Sequence, residues 1–301
     1  MIAKPTAEES FQVRAQTPQE IVSEYFAALI DGDIERALAM GPRGGNGSER
    51  LLTTTAFPAT RDASGLDGLE ILTTDREATK IQVRYRLDGN PVAAEIALDR
   101  LDTGEYQLAR TTVPIQFDVP GGEGVPLLVN GESVDQGQVY EVVPGVYRLG
   151  TGLPFMAYPD TSAVTVISLD DPGVLKVSPV PQLTQDGVTA FISAAREALD
   201  ACMAARRKAP PGCPIGTTGN PGIVESSITR TLTADPWAAA RPSLMASHQA
   251  RAQMTVTINY TLSYSWSNGS TQQPRPERTV ATVTADMLAT SADQIEVTWE
   301  Q

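Results

Sequence analysis

The stretch MTVTINYTLSYSW, residues 254–266, indicates the type of sheet in the last third of this chain. Apolar and aromatic side chains occupy every second position from Met254 to Trp266, and threonine, serine and asparagine fill the positions between them. A period of two is typical of an antiparallel strand with one buried and one solvated face. Asn268-Gly269 follows as a turn, and residues 278–288 and 294–299 supply partner strands. The sequence therefore predicts a long antiparallel meander here.

An amphipathic helix precedes this meander. From Thr184 onward, apolar residues recur at helical spacing between Val188 and Met203. A helix laid on an antiparallel sheet makes residues 182–301 an α+β domain.

Residues 17–113 predict a second domain of the same kind. Thr17, Pro18 and Glu20 form a helix start with a capping box, and DGD at 31–33 separates this helix from a shorter one. Alternating patterns then predict strands in KIQVRYRL (80–87), PVAAEIAL (91–98) and DTGEYQL (102–108). Between the second predicted helix and the first of these strands, residues 42–68 show no clear third helix. The glycine-rich GPRGGNGS (41–48) is expected to be a mobile loop.

Residues 114–181 predict a small β module between the two larger domains. Asn130-Gly131 and Pro144-Gly145 each stand between short β-prone runs, which indicates hairpins. PVPQLT (179–184) is interpreted as the linker out of the module, and the polar residues 1–16 as a tether. The predicted fold class is thus α+β and multi-domain, with helix-on-sheet domains flanking a small β module.

The charge of the chain narrows the possible partners. The 301 residues carry a formal net charge of −13, which argues against nucleic acid and against anionic lipid surfaces, because both need clustered Lys and Arg. No run of about 18 apolar residues is present, and the first residues lack the apolar core of a signal peptide. We expect either a cytoplasmic protein or a chain from which a targeting segment has been removed.

The two cysteines are the most informative residues for location. Cys202 lies on the apolar face of the predicted helix, and Cys213 lies in the proline-rich loop behind it. The two cysteines and the single histidine, His248, are too few for a four-ligand zinc site. A catalytic cysteine would need a nearby base, and His248 is the one candidate. We predict a disulfide between Cys202 and Cys213, with two buried free thiols as the alternative. A disulfide indicates a compartment outside the reducing cytosol.

The remaining polar residues provide no recognisable catalytic set. The motifs of serine hydrolases, penicillin-binding enzymes, zinc proteases and phosphate loops are absent from the sequence. Asp31 with Asp33, and Asp170 with Asp171, fit turn and capping positions better than calcium ligation. We therefore expect no catalytic residue, no cofactor and no bound metal.

Two features remain as candidate binding sites. Tyr25, Asp31 and Tyr85 are the side chains that could act in a pocket of the first domain, although core and turn positions explain them more simply. The threonine and serine side of strand 254–266 is the second candidate, since hydroxyl-rich sheet faces can bind glycans, and an ordinary solvated face is the alternative.

Resemblances to known families add an expected location and architecture. TPQEIVSEYFAALIDGDIERALAM (17–40) with IQVRYRLDGNPVAAEIALDRLDTGEYQLA (81–109) resembles the nuclear transport factor 2-like families of bacterial envelope proteins, with Tyr106 where they often have tryptophan. GVPLLVNGESVDQGQVYEVVPGVYRLG (124–150) resembles PEGA-like β modules, which are usually spacers. LDACMAARRKAPPGCPIG (199–216) resembles secreted or membrane-anchored actinobacterial proteins, which implies an N-terminal membrane helix or lipid anchor outside this sequence.

These patterns together favour a non-enzymatic, extracytoplasmic binding or spacer module of the bacterial cell envelope. Its partner is expected to be an envelope glycan, peptidoglycan or protein, with membrane contact only through the N-terminal anchor. Two alternatives stay open: a small-ligand carrier or enzyme that uses the cone of the first domain, and the outer region of a membrane sensor.

Overall fold

A computed structural model describes residues 16–170, 173–217 and 221–300. The predicted tether, residues 1–16, lies outside the described residues except for Gln16. The α-helices are α1 (Pro18–Asp31), α2 (Ile34–Leu38), α3 (Phe57–Ser64) and α4 (Gln185–Ala204), and short 3-10 helices span Arg50–Leu52, Asp160–Ser162 and Ala292–Gln294. The strands are β1 (Asp67–Ile71), β2 (Lys80–Leu87), β3 (Asn90–Arg100), β4 (Tyr106–Leu108), β5 (Val113–Phe117), β6 (Leu128–Val129), β7 (Glu132–Ser133), β8 (Val139–Val142), β9 (Gly145–Tyr147), β10 (Leu149–Gly150), β11 (Met156–Ala157), β12 (Val164–Val166), β13 (Leu175–Val177), β14 (Gln182–Leu183), β15 (Ile223–Leu232), β16 (Ser243–Met245), β17 (His248–Trp266), β18 (Thr271–Asp286) and β19 (Val297–Glu300).

Backbone contacts divide the described chain into two compact units. Unit 1 comprises the residues up to Gln116 together with Gly137–Arg148 and Val164–Val177, and unit 2 comprises Phe117–Gln136, Leu149–Ala163 and the residues from Ser178 onward. Both units combine helices with antiparallel sheets, which confirms the predicted α+β, multi-domain fold class.

The first helix of unit 1 forms as its sequence predicts. The Thr17 side chain accepts a hydrogen bond from the backbone of Glu20, and the Glu20 carboxylate accepts one from the backbone N–H of Thr17, so the capping box is complete. Gly32, with φ of 80°, ends α1 in the left-handed conformation that a glycine adopts without strain. Asp33 then caps α2. The DGD sequence therefore separates two helices, as predicted.

A four-stranded antiparallel sheet, in the order β1-β2-β3-β4, carries α1 on one side. β2 alternates strictly between exposed and buried residues, and its inward side chains pack with those of α1. Asp88 and Gly89, both with positive φ, form the tight turn that joins β2 to β3. The three strands predicted for this domain are confirmed.

Residues 41–64 of unit 1 differ from the sequence-based expectation. They contain the helix α3, whereas no third helix was predicted, because the proline and the polar residues of FPATRDAS weaken the apolar pattern. The glycine-rich loop is closely packed: a β-carbon on Gly44 would lie 2.1 Å from the Thr112 carbonyl oxygen, and one on Gly41 would lie 2.3 Å from that of Leu108. These glycines allow close backbone approach, which contradicts the expectation of a mobile loop.

Glu141 fixes the same loop from inside unit 1. Its side chain is almost fully buried and accepts hydrogen bonds from the Thr112 hydroxyl and from the backbone N–H of Gly47, the latter over 2.8 Å. The loop backbone also pairs with β8, since the N–H of Glu141 donates to the carbonyl of Ser48 over 2.9 Å.

The sheet of unit 2 has β15-β17-β18-β19 in order, and β16 also pairs with β17. β17 and β18 form the predicted long hairpin around Asn268-Gly269. The side chains of β17 from Met254 to Leu262 at every second position are buried as predicted, and α4 packs against β15 and β19. Tyr264 and Trp266, predicted on the same buried face, are only half-buried, and the ladder with β18 shifts its register between Leu262 and Tyr264.

Residues 114–181, predicted as one β module, contribute to both units. β5 and β8 form a three-stranded sheet with β13 in unit 1, whereas β6, β7 and β10 form another in unit 2. The Asn130-Gly131 hairpin is confirmed, with positive φ at both residues. The hairpin predicted at Pro144-Gly145 is wrong, because β8 pairs with β5 and β9 pairs with β12. The short strands here find partners that local sequence does not specify.

Candidate functional site

Cys202 and Cys213 form the disulfide that the sequence predicts. Cys202 lies in the last turn of α4 and is 5% exposed, and the two Cα atoms are 5.6 Å apart, an ordinary separation for a disulfide. Both sulfur atoms are used by this bond, so the alternative of two free thiols is wrong. Neither sulfur is available as a thiol nucleophile or a zinc ligand in this state.

A buried arginine holds the backbone inside the disulfide loop. Arg230, on β15, donates from Nη1 to the carbonyl of Ala205 over 2.7 Å, and from Nη2 to the carbonyls of Arg207 and Lys208 over 2.7 and 3.1 Å. Burial lowers the pKa of this guanidinium from its usual value. No sequence motif singles out Arg230; its one signal is a charged residue at an inward position of a strand.

The polar side of the unit 2 sheet is the larger candidate site. Its opposite side is covered by the apolar face of α4, and the hydroxyl-bearing residues stand on all its main strands. Cross-strand pairing places Thr255 beside Thr282, with their Oγ1 atoms 3.1 Å apart, and Thr261 beside Thr231. We call this surface the hydroxyl face, and its members are Thr229, Thr231, Thr255, Thr257, Thr261, Ser263, Thr282 and Thr298.

Two aromatic rings lie at the end of the same hairpin. The Tyr264 and Trp266 rings meet edge to face with centroids 5.3 Å apart. Both side chains are half-buried, so each ring keeps a part of its surface exposed.

The tyrosines proposed as pocket residues of unit 1 are core residues. The Tyr25 hydroxyl donates to the carbonyl of Thr111 over 2.8 Å, and the Tyr85 hydroxyl donates to the carbonyl of Ile167. Phe26 packs between these rings, with centroid distances of 5.6 and 4.9 Å. Burial raises the pKa of both tyrosines above the usual value. Their hydroxyls therefore serve the core of unit 1.

The candidate carboxylates occupy exposed turns. Asp31 forms an ion pair of 2.9 Å with Arg36, and Asp33 accepts a hydrogen bond from the Arg36 backbone. The backbone N–H of Asp170 donates to the Ser168 hydroxyl over 2.8 Å, and Asp171 lies outside the described residues. The described aspartates thus lie in turns or cap helices, as the sequence indicates. The structure does not place Asp31 with Tyr25 and Tyr85 around one cavity.

His248 is the first residue of β17 and is exposed. Its Nδ1 atom lies 3.4 Å from the Ser247 hydroxyl.

Within residues 16–170, 173–217 and 221–300, no group of three or more His, Cys, Asp or Glu side chains is arranged to hold a metal ion. In the same part of the chain, no helix has the length and apolar composition needed to cross a membrane.

Comparisons of the chain with protein-family models, with curated proteins and with solved structures found no match.

Proposed function

We propose that this chain is a non-enzymatic binding module of the bacterial cell envelope, and that its hydroxyl face binds an envelope glycan. The observation that carries the proposal is the hydroxyl face itself: eight Thr and Ser residues on one side of a sheet whose other side is buried under α4. Each hydroxyl can both donate and accept a hydrogen bond, which matches the hydroxyls of a sugar.

The Tyr264–Trp266 pair lies on the side of β17 opposite the hydroxyl face, because both residues alternate with Ser263 and Ser265. Half-exposed aromatic rings present a large apolar surface with little conformational entropy to lose. The C–H faces of pyranose rings can pack on such a surface while their hydroxyls bind polar neighbours. The aromatic pair is therefore a second candidate contact for a sugar ring, separate from the hydroxyl face, and the proposal rests on the hydroxyl face alone.

The disulfide supports a location outside the cytoplasm. A bond of this kind persists in oxidising compartments and is reduced in the cytosol of most bacteria. The same proposal includes an N-terminal anchor beyond this sequence, a membrane helix or a lipid, with residues 1–16 as the tether.

The alternative of a ligand carrier or enzyme in unit 1 has less support. The hydroxyls of Tyr25 and Tyr85 are bonded to backbone carbonyls inside the core, so they do not offer free groups to a ligand. Accordingly we place the binding site on unit 2.

Isothermal titration of the full chain with soluble peptidoglycan fragments and with chitin oligosaccharides tests the proposal. We expect saturable binding, and we expect the double variant Thr257→Val and Thr261→Val to weaken it at least about fivefold, since two hydrogen-bonding hydroxyls are lost at constant shape. Thr54→Val, an exposed threonine of unit 1, is the matched control and should bind as the wild type does.

The proposal is wrong if both ligand classes give no heat of binding, or if the double variant binds them as tightly as the control. The first outcome would favour a spacer or a protein partner. The second would place the glycan elsewhere on the chain.

A further inference from the structure

One edge of β18 has no neighbouring strand over most of its length. The other edge pairs with β17 almost from end to end, whereas β19 covers only residues 282–285. Residues 271–281 therefore have an edge to which no strand pairs in the part of the chain that the structure describes, and we call it the free edge. A long unpaired edge is a template for pairing with another chain. Val280, which is 53% exposed, adds apolar surface beside it.

The pairing register shows which backbone groups face the free edge. Met287 donates its N–H to the carbonyl of Ala250 over 2.8 Å, so these two residues form a hydrogen-bonded pair of the antiparallel ladder. Such pairs alternate along a ladder with pairs whose backbone groups point away from each other. The ladder has no register shift between residues 275 and 286 of β18. Over this length the odd-numbered residues bond to β17, and the even-numbered residues direct their N–H and carbonyl groups outward.

Pro276 stands at one of these outward positions. It pairs with Thr261 and its side chain is exposed. A proline has no N–H, so the free edge lacks a donor near the middle of its length. Pro274 lies where the ladder with β17 shifts its register, between Gln272 and Arg275. A bulge twists an edge away from the flat geometry that a second strand needs, so it acts in the same direction as the missing donor.

An uncovered edge in unit 1 follows the same plan. β3 pairs with β2 over residues 90–97, and β4 covers its other edge only at residues 98–100. Leu98 donates its N–H to the carbonyl of Thr79 in the ladder with β2, so the odd-numbered residues of β3 face outward. Pro91 is one of them and is exposed. Two sheets of different sequence thus carry a proline at an outward position of a partly uncovered strand.

We propose that Pro276 keeps the free edge of β18 closed to a second copy of this chain, so that the sheet of unit 2 ends within one molecule. Two copies of β18 fit together antiparallel about a twofold axis at residue 276, since this register places Glu277 of each copy beside Arg275 of the other. In the same register Pro276 faces Pro276 of the second copy. Neither chain then supplies the N–H that this pair requires.

Sedimentation equilibrium of the full chain tests the proposal. Pro276→Thr restores the missing N–H with a residue that strands favour, and we expect its average mass to rise with protein concentration toward twice that of one chain. The mass of the wild type should not rise in this way. Pro211→Thr, at an exposed position of the disulfide loop, is the matched control and should behave as the wild type does. If the mass of Pro276→Thr exceeds that of the wild type at no concentration, the proposal is wrong.

Moving the proline separates the missing donor from a general disturbance of the fold. Pro276→Thr combined with Arg278→Pro places the proline at the next outward residue, so both the mass and the unfolding midpoint of the wild type should return. Pro276→Thr combined with Thr279→Pro places it at an inward residue and should lower the midpoint, because a hydrogen bond to β17 is lost.

Two results of this comparison would contradict the inference. If the Arg278→Pro combination stays dimeric, the copies associate through another surface. If both combinations unfold at the same midpoint, the assignment of inward and outward positions is wrong. The glycan titrations do not depend on the free edge, so either result can stand without the other.

Discussion

The Nη2 atom of Arg230 donates a hydrogen bond of 2.7 Å to the carbonyl oxygen of Arg207. The contact joins β15 to the segment between the two cysteines, so this loop is held by an arginine as well as by the disulfide. Because the hydrogen bonds of Arg230 and the disulfide differ in chemistry, the contribution of each to the stability of the protein can be measured separately.

Replacing Arg230 by methionine should lower the free energy of unfolding by about 2–3 kcal/mol, because three backbone carbonyls lose their donor. Lysine should recover only part of this loss, since a single ammonium group cannot reproduce the planar fork of donors. Urea denaturation measures both. The control is Arg241→Met, an exposed arginine of the same unit, for which the change should stay within about 0.5 kcal/mol.

Removing the disulfide should cost about 2–4 kcal/mol, because the unfolded chain regains the freedom of the segment between Cys202 and Cys213. The measurement is the urea midpoint of the wild type with and without reductant. The double variant Cys202→Ala and Cys213→Ala should be insensitive to reductant. If the reductant shifts the wild-type midpoint no more than that of the double variant, the bond does not stabilise the protein.

Gly44→Ala should destabilise unit 1 by about 1–3 kcal/mol, the usual cost of forcing an extra carbon into a packed site. The new β-carbon would lie 2.1 Å from the Thr112 carbonyl oxygen, so the loop or β5 must move. Gly216→Ala serves as the comparison, since its β-carbon would meet only ordinary contacts of 3.7 Å. Equal unfolding midpoints for the two variants would show that the glycine-rich loop is not held against unit 1.

Alkaline pH should destabilise the fold through its buried tyrosines. Burial raises the pKa of Tyr158 to about 12, and it raises the pKa of Tyr147 above its usual value as well. The folded state therefore keeps these protons when the unfolded chain, with a pKa near 10, has released them. Their contribution is complete below about pH 10 and is lost as pH rises toward the folded pKa, by about 1.4 kcal/mol per pH unit for each tyrosine.

Two phenylalanine variants separate these tyrosines. The Tyr147 hydroxyl donates to the Val143 carbonyl over 2.7 Å and accepts from its N–H over 3.0 Å, so Tyr147→Phe should lower stability at pH 8. The Tyr158 hydroxyl is buried without a partner among the described residues, so Tyr158→Phe should be neutral or stabilising at pH 8. Both variants should flatten the decline above pH 10. Unfolding midpoints measured between pH 8 and pH 11 check these expectations. A variant whose midpoint falls above pH 10 as steeply as that of the wild type would show that its tyrosine does not cause the alkaline destabilisation.

Much of the local structure could be predicted because it depends on local signals. The capping box at Thr17, the alternation in β2 and β17, and the Asn130-Gly131 turn are each specified by neighbouring residues. The disulfide could also be predicted, since the chain has only two cysteines.

The features that sequence patterns missed depend on distant partners. Glu141 is a charged residue inside a strand, and its burial makes sense only once Gly47 and Thr112 are placed beside it. Gln249 follows no apolar pattern and is turned inward by a bulge. The Pro144-Gly145 turn has the composition of a hairpin, but the strands around it pair with β5 and β12 instead.

The chain passes between the two units after residues 116, 136, 148, 163 and 177. On the ribosome, unit 1 cannot obtain its last strand, β13, until two segments of unit 2 have already been synthesised. The unit 2 segments that carry β6, β7, β10 and β11 are synthesised before the β17–β18 hairpin. Unit 2 therefore cannot be completed until that hairpin has been made. Neither unit corresponds to one continuous stretch of the chain, so neither can be produced alone by cutting the gene at a single point.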